Sequence, residues 1–300
     1  MLTVAALYHF TRLPDPDPLR CELQALCRAE GVRGTLLLAP EGINGTIAGA
    51  SSGVAAVLAR LRRIPGCAGL VHKESWAEKP PFPRLKVRVK REIVTMGKPD
   101  VDPSARVGHY VAPRDWNDLI AAPDVAVIDT RNDYEVQIGR FEGAVDPGTR
   151  AFREFPAWWE ANEKRFRGKR IAMYCTGGIR CEKSTNWLIG QGVSDVYHLE
   201  GGILKYLEEV PEAESLWQGA CYVFDGRVSV KHGLEPGDHS TCHACRRPLS
   251  QQDRERPEYE RGAACHQCVD EYPDGDRARF RERQRQMDLA RARGVAHIGG

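Results

Sequence analysis

The chain has 300 residues, a formal net charge of +2 and a 42% hydrophobic share, enough apolar material for two or three globular domains. Such a balance excludes nucleic-acid binding through overall charge, so any such case rests on local patches. No apolar run approaches the roughly 18 residues of a membrane span, and the start MLTVAALYHFTRLPDP lacks a basic leader region, so no membrane partner and a cytoplasmic setting are expected.

Residues 1–95 read as one small α/β unit. Val4 to Phe10 is a strand, and Asp17 or Pro18 opens a helix carrying Leu19, Leu23, Leu26 and Cys27 at helical spacing. Gly34 to Ala39 is a buried strand, Pro40 to Gly45 a turn, and Thr46-Ile47-Ala48 starts the returning strand. Ser51-Ser52 should cap a helix with Val54, Val57, Leu58 and Leu61 on one face. Leu85, Val87 and Val89 alternate with Lys86, Arg88 and Lys90, as in a half-exposed strand. The order βαββαβ predicts a ferredoxin-like sandwich. Lys86, Arg88 and Lys90 are candidates for RNA phosphates; a solvated strand face is the other reading.

Residues 96–108 are rich in proline and glycine and read as a linker. A second α/β unit, residues 109–218, alternates strands and helices, which predicts a parallel, doubly wound sheet. Val125 to Ile128 is a strand ending at Asp129-Thr130-Arg131, where such sheets place their sites. The aromatic stripe Phe155, Trp158 and Trp159 reads as packing. Ile171 to Tyr174 is a buried strand, Cys175-Thr176-Gly177-Gly178-Ile179-Arg180 a glycine loop, and Cys181 to Gly190 a helix. A strand, a glycine loop and a helix start gather backbone N–H groups into an anion cradle formed by Thr176, Gly177, Gly178 and Ile179.

Cys175 is expected at the mouth of that cradle, where the helix end and Arg180 favour the thiolate. Four residues separate Cys175 from Arg180, a tight ring suited to a covalent adduct on sulfur, such as a persulfide. Cys175 and Arg180 are therefore the candidate catalytic residues. Cys181, six residues on, reads either as a resolving thiol or as a small core residue. Asp129 and Arg131 read as supporting residues near the same sheet edge, with an ion pair bracing the loop as their structural role. Glu182 and Lys183 are expected to face solvent, and Cys21, Cys27 and Cys67 to lie in the core.

Residues 219–300 form the third region. Ten cysteines include two CxxC pairs, Cys242/Cys245 and Cys265/Cys268, with 19 residues between the pairs; the other six are scattered, unlike a disulfide framework. Two such knuckles supply the four thiolates of a closed tetrahedral zinc site, structural rather than catalytic. Zinc is preferred to iron because a clamp needs no redox chemistry. Arg277 to Arg293 then holds seven arginines, and Arg277, Arg279, Arg281, Arg283 and Arg285 are its leading candidates for RNA contact; a solvated helix is the alternative.

Asp129-Thr130-Arg131, Glu135, Gly139, Gly143-Ala144, the Cys175 loop and Leu199-Glu200-Gly201-Gly202 resemble a rhodanese domain in order and spacing. The longer strings Pro40 to Thr46, Tyr174 to Lys183 and Cys221 to Val228 resemble the bacterial rhodanese-containing tRNA uridine(34) hydroxylase family, over most of the chain. The resemblance implies an acylphosphatase-like N-terminal domain and a central rhodanese domain. It also implies formation of 5-hydroxyuridine at the tRNA wobble position, with O2 as cosubstrate and the anticodon region as partner. The electron donor is left unnamed, and no flavin or nucleotide fingerprint is found. The competing reading, which the central unit alone supports, is a sulfurtransferase that carries sulfane sulfur as a Cys175 persulfide.

Overall fold

The computed structural model describes residues 1–98 and 100–294. The expected linker (96–108) and C-terminal module (219–300) each reach partly outside the described residues.

The first unit runs β1 (Leu2–Phe10), α1 (Pro16–Ala29), β2 (Arg33–Ala39), β3 (Gly42–Gly49), α2 (Ser51–Arg62), β4 (His72–Ala77) and β5 (Leu85–Val89). Asp15 caps α1 by accepting from the Asp17 N–H, with Pro16 in the first turn. The sheet order is β4-β1-β3-β2-β5. Both helices cover one face, where Ala5, Leu7, Leu36 and Leu38 meet Leu23, Val57 and Leu61. Alternate residues on the other face, among them Tyr8, Thr35 and Asn44, line a cleft.

Three expectations are corrected in this unit. The ferredoxin-like core takes β4 as its fourth strand, antiparallel to β1. In HKESWA only Ser75 and Ala77 turn fully inward, so no apolar alternation marked it. Leu85–Val89 is instead a fifth strand, parallel to β2 at the opposite edge. The β2–β3 turn is only Pro40-Glu41, and Ala50 rather than a serine is the N-cap of α2.

The second unit runs β6 (His109–Val111), α3 (Pro113–Ala121), β7 (Val125–Asp129), α4 (Asp133–Val136), β8 (Gly139–Phe141), α5 (Phe155–Asn162), β9 (Arg170–Tyr174), α6 (Ile179–Gly190), β10 (Val196–Leu199) and α7 (Gly202–Glu209). Its parallel sheet has the order β6-β10-β9-β7. Central strand β9 is buried on both faces. Ile171 and Met173 pack with Phe155 and Leu188, while Ala172 and Tyr174 pack with Trp116 and Ile203. Helices therefore cover both sides, as a continuous apolar strand requires. Trp158 and Trp159 do pack, against Phe166.

The stretch between the units is pinned rather than loose. Met96 and Val101 are buried in the second unit, and the Asn186 amide of α6 donates to the carbonyls of Asp102 and Arg106. Beyond α7, Arg227 donates to Ser75 Oγ at 2.7 Å and Gly226 N–H to the Pro81 carbonyl at 2.9 Å. The chain thus returns to the first unit before reaching the paired cysteines.

Candidate active site between the domains

Cys175 follows the last residue of β9, and its loop turns directly into α6. Gly178 makes that turn with φ of 102°, a conformation that favours glycine, and a Cβ there would stand 2.7 Å from the Tyr8 hydroxyl and displace it. Gly202, with φ of 65°, lets α7 come equally close: a Cβ would lie 2.5 Å from the Cys175 carbonyl. In return, Ile203 and Leu204 donate their N–H groups to the carbonyls of Cys175 and Thr176, both at 3.0 Å. Two helix N-termini thus fix the loop.

The Cys175 sulfur accepts the Gly178 N–H at 3.1 Å. Burial opposes a charged sulfur here. The Cys181 thiol, the Arg180 charge and the backbone N–H groups of Cys181 and Arg180 outweigh it and hold Cys175 below the ordinary thiol range. Cys181 moves the other way, pushed up by burial and by the Cys175 charge. Its sulfur lies 3.6 Å from Thr130 Oγ1 in the core. Cys175 is fully buried, on the floor of the cleft rather than at a mouth.

Arg180 does not point freely into the cradle. Glu135 accepts both arms of its guanidinium, at 2.6 and 2.8 Å, and also the Thr176 hydroxyl at 3.2 Å and the Asn132 N–H at 3.1 Å. Burial would raise the Glu135 carboxyl, but Arg180 overrides it and holds the group below the usual carboxylate range. Asp129 and Arg131 form a second buried pair, at 2.6 Å. Arg131 also donates to the carbonyls of Glu135 and Gly139. It therefore braces α4, and through α4 Glu135. Glu135 is an organising residue that sequence reasoning placed in a motif without assigning it work.

The cleft has a volume of about 1230 Å³, above the ordinary range of ligand pockets. One wall is the uncovered face of the first unit's sheet, the floor is the Cys175 loop, and Phe224 stands exposed at the rim. Glu182 and Lys183 depart from the solvent-facing expectation. Tyr8 donates its hydroxyl to Glu182 at 2.7 Å. Lys183 is fully buried and donates to Glu41 at 2.8 Å, Glu92 at 2.5 Å and the Val94 carbonyl at 3.0 Å. Adjacent residues of α6 thus tie the loop's helix to the first unit. The partners come from residues far away in the chain, so no local pattern announces the contact.

The four thiols of Cys242, Cys245, Cys265 and Cys268 lie within 4.8 Å of one another, so they could hold a metal ion. Their closed donor set of sulfur fits a tetrahedral structural ion. Cys21, expected in the core, is exposed. The arginine segment forms α8 (Asp274–Ala292), with six arginines against four carboxylates. Arg277 binds Asp274 and the Val269 carbonyl, and Arg283 donates to the His243 carbonyl, which docks the helix on the cysteine knuckle. Arg279, Arg281 and Arg285 pair with Asp276, Glu260 and Glu282 while staying largely exposed. On the first unit, Arg88 and Lys90 are exposed and Lys86 is half-buried.

Two family profiles match the chain, a UPF0176 acylphosphatase-like domain over residues 2–93 and a rhodanese-like domain over residues 112–209. A tRNA uridine(34) hydroxylase of Ruegeria pomeroyi is 67% identical over 298 residues, which span 99% of each chain. Namesakes from Roseobacter denitrificans and Agrobacterium fabrum are 64% and 62% identical over 296 residues, covering 99% of this chain and 100% and 94% of theirs. The likeness runs through all three regions.

Proposed function

The chain belongs to the tRNA uridine(34) hydroxylase family, and we propose that it converts uridine 34 of tRNA to 5-hydroxyuridine in the cleft above Cys175. The observation that carries this reading is a cysteine sulfur on the floor of a cleft of about 1230 Å³, in a chain alike from end to end to enzymes of that name. The sulfurtransferase reading accounts for the central unit alone; end-to-end likeness favours the hydroxylase.

Addition of the Cys175 thiolate to C6 of uracil moves the C5=C6 electron pair toward C5 and O4. The enriched C5 takes one atom of O2; the other leaves as water, with two electrons and two protons from a reductant. Loss of the C5 proton and of sulfur from C6 restores the ring. Thr176, Gly177, Gly178 and Ile179 shape the floor, the Cys181 thiol and then the Arg180 charge favour the thiolate, and Glu135 holds Arg180. Asp129 and Arg131 act as bracing, and Cys181 as a neutral neighbour of the thiolate. Cys242, Cys245, Cys265 and Cys268 would hold zinc, whose chemistry there is structural. The anticodon region would enter past Phe224, with phosphate contacts from the exposed arginines of α8 and from Lys86, Arg88 and Lys90.

Nucleoside mass spectrometry of tRNA tests the reading. Cells lacking the gene should lose 5-hydroxyuridine at position 34, the wild-type gene should restore it, and C175A should not. Persistence of the nucleoside in the deleted strain would sink the proposal, and full restoration by C175A would sink the role of the sulfur.

A further inference from the structure

Three polar side chains beside Cys175 have no part in the scheme above. Glu182 lies in the first turn of α6, half-buried, with Tyr8 of β1 donating to it at 2.7 Å. Tyr110 of β6, its ring packed edge-on to His198, lines the same cleft from the second unit. All three line the cleft with Cys175. We propose that Tyr8, Glu182 and Tyr110 read the Watson–Crick edge of the substrate base and select uracil over cytosine. This rests on the reading that the cleft receives uridine 34.

The argument is complementarity. Two phenols and a carboxylate in one cleft supply two donors and an acceptor to a base. Uracil presents acceptor, donor and acceptor at O4, N3–H and O2. Cytosine presents donor, acceptor and acceptor, so its N3 would meet the carboxylate acceptor to acceptor, one mismatch in a partly dry site, while a phenol oxygen can accept its amino group. Enzymes that act on a base commonly read it along this edge. Three other polar groups of the cleft are engaged elsewhere. The Asn44 amide donates to the Ile93 carbonyl at 2.8 Å, Lys205 pairs with Glu200, and Arg180 is held by Glu135. Glu182 can exchange the Tyr8 hydroxyl for N3–H without leaving either carboxyl or phenol unpaired. Tyr110 is half exposed, free to turn its hydroxyl to the base. Burial and the nearby Cys175 charge raise the Glu182 pKa, and the two phenols oppose that rise.

The test uses the full chain and two anticodon stem–loops that differ only in U34 or C34, with binding measured by competition and turnover measured on the U34 form. The wild type should prefer U34 by about tenfold or more. E182Q should lose most of that preference, because an amide can turn its NH2 toward cytosine N3, while U34 still binds. Y8F and Y110F should weaken U34 without improving C34. Should E182Q not fold, the two phenylalanine variants carry the test. An unchanged U34/C34 ratio in E182Q, or in both phenylalanine variants where E182Q is lost, overturns the proposal. A wild type that hydroxylates U34 without preferring it in binding also overturns this inference and leaves the function standing. A wild type that, supplied with a reductant and O2, does not hydroxylate the U34 form overturns the function itself.

Discussion

Replacing Glu135 by alanine should expose how the site is held. Glu135 is fully buried and accepts from Arg180, Thr176 and Asn132. Its loss strands a guanidinium whose side chain is only 7% exposed. Breaking one partner of a buried ion pair costs about 3–5 kcal/mol. At roughly 4 °C per kcal/mol for a unit of about 110 residues, the melting temperature should fall by about 12–20 °C. The sign with pH follows from the lowered Glu135 pKa. Its stabilisation is complete above the ordinary carboxyl value of 4.5 and fades as pH falls through the lower folded value. The gap between wild type and E135A should thus be full at pH 7 and narrow in acid. Thermal unfolding from pH 3 to pH 8 measures it, and E135Q, which keeps the shape, should lose less than E135A. A gap below about 1 kcal/mol at pH 7, or one that widens in acid, would refute the account.

Cys175 should alkylate with a pH midpoint below the ordinary thiol value of 9.0, while R180M should move the midpoint up; because the sulfur is buried, the midpoint rather than the rate reports the thiolate. K183M should unsettle the seam between the domains by leaving Glu41 and Glu92 facing each other, at a cost of about 3 kcal/mol in chemical denaturation; an unchanged midpoint would place the seam's strength elsewhere. Purified protein should carry one zinc per chain by elemental analysis. A chelator should speed hydrogen exchange around Cys242 to Cys268 and through α8, which docks on that knuckle, and leave β9 protected. Charge reversal at Arg279 and Arg285, both exposed, should weaken tRNA binding and lower its salt slope by about one for each phosphate no longer neutralised.

Much of this protein is written locally. The alternation of apolar strands, glycine turns and capped helices specified two α/β units, because each element needs only its own neighbours to declare its period. The Cys175 loop was legible for the same reason: a strand, two glycines, an arginine and a helix start are consecutive in the chain, and the Gly178 N–H that meets the sulfur is their direct consequence. The two CxxC pairs needed only their spacing.

What the chain order hid is whatever two distant segments make together. The polar strand β4 gained its place from β1 and Phe82-side packing rather than from its own pattern. Glu182 and Lys183 look like solvent-facing residues of a helix until β1, the β2–β3 turn and Glu92 fold onto them. The Arg281 charge of α8 looked free until Glu260, from outside the helix, met it. Sequence by itself determined the sulfur and its activating loop, since those atoms are neighbours along the backbone. Only the tertiary structure decided that the loop lies at the bottom of a cleft walled by another domain's sheet, because burial and ion pairing depend on partners the chain brings from far away.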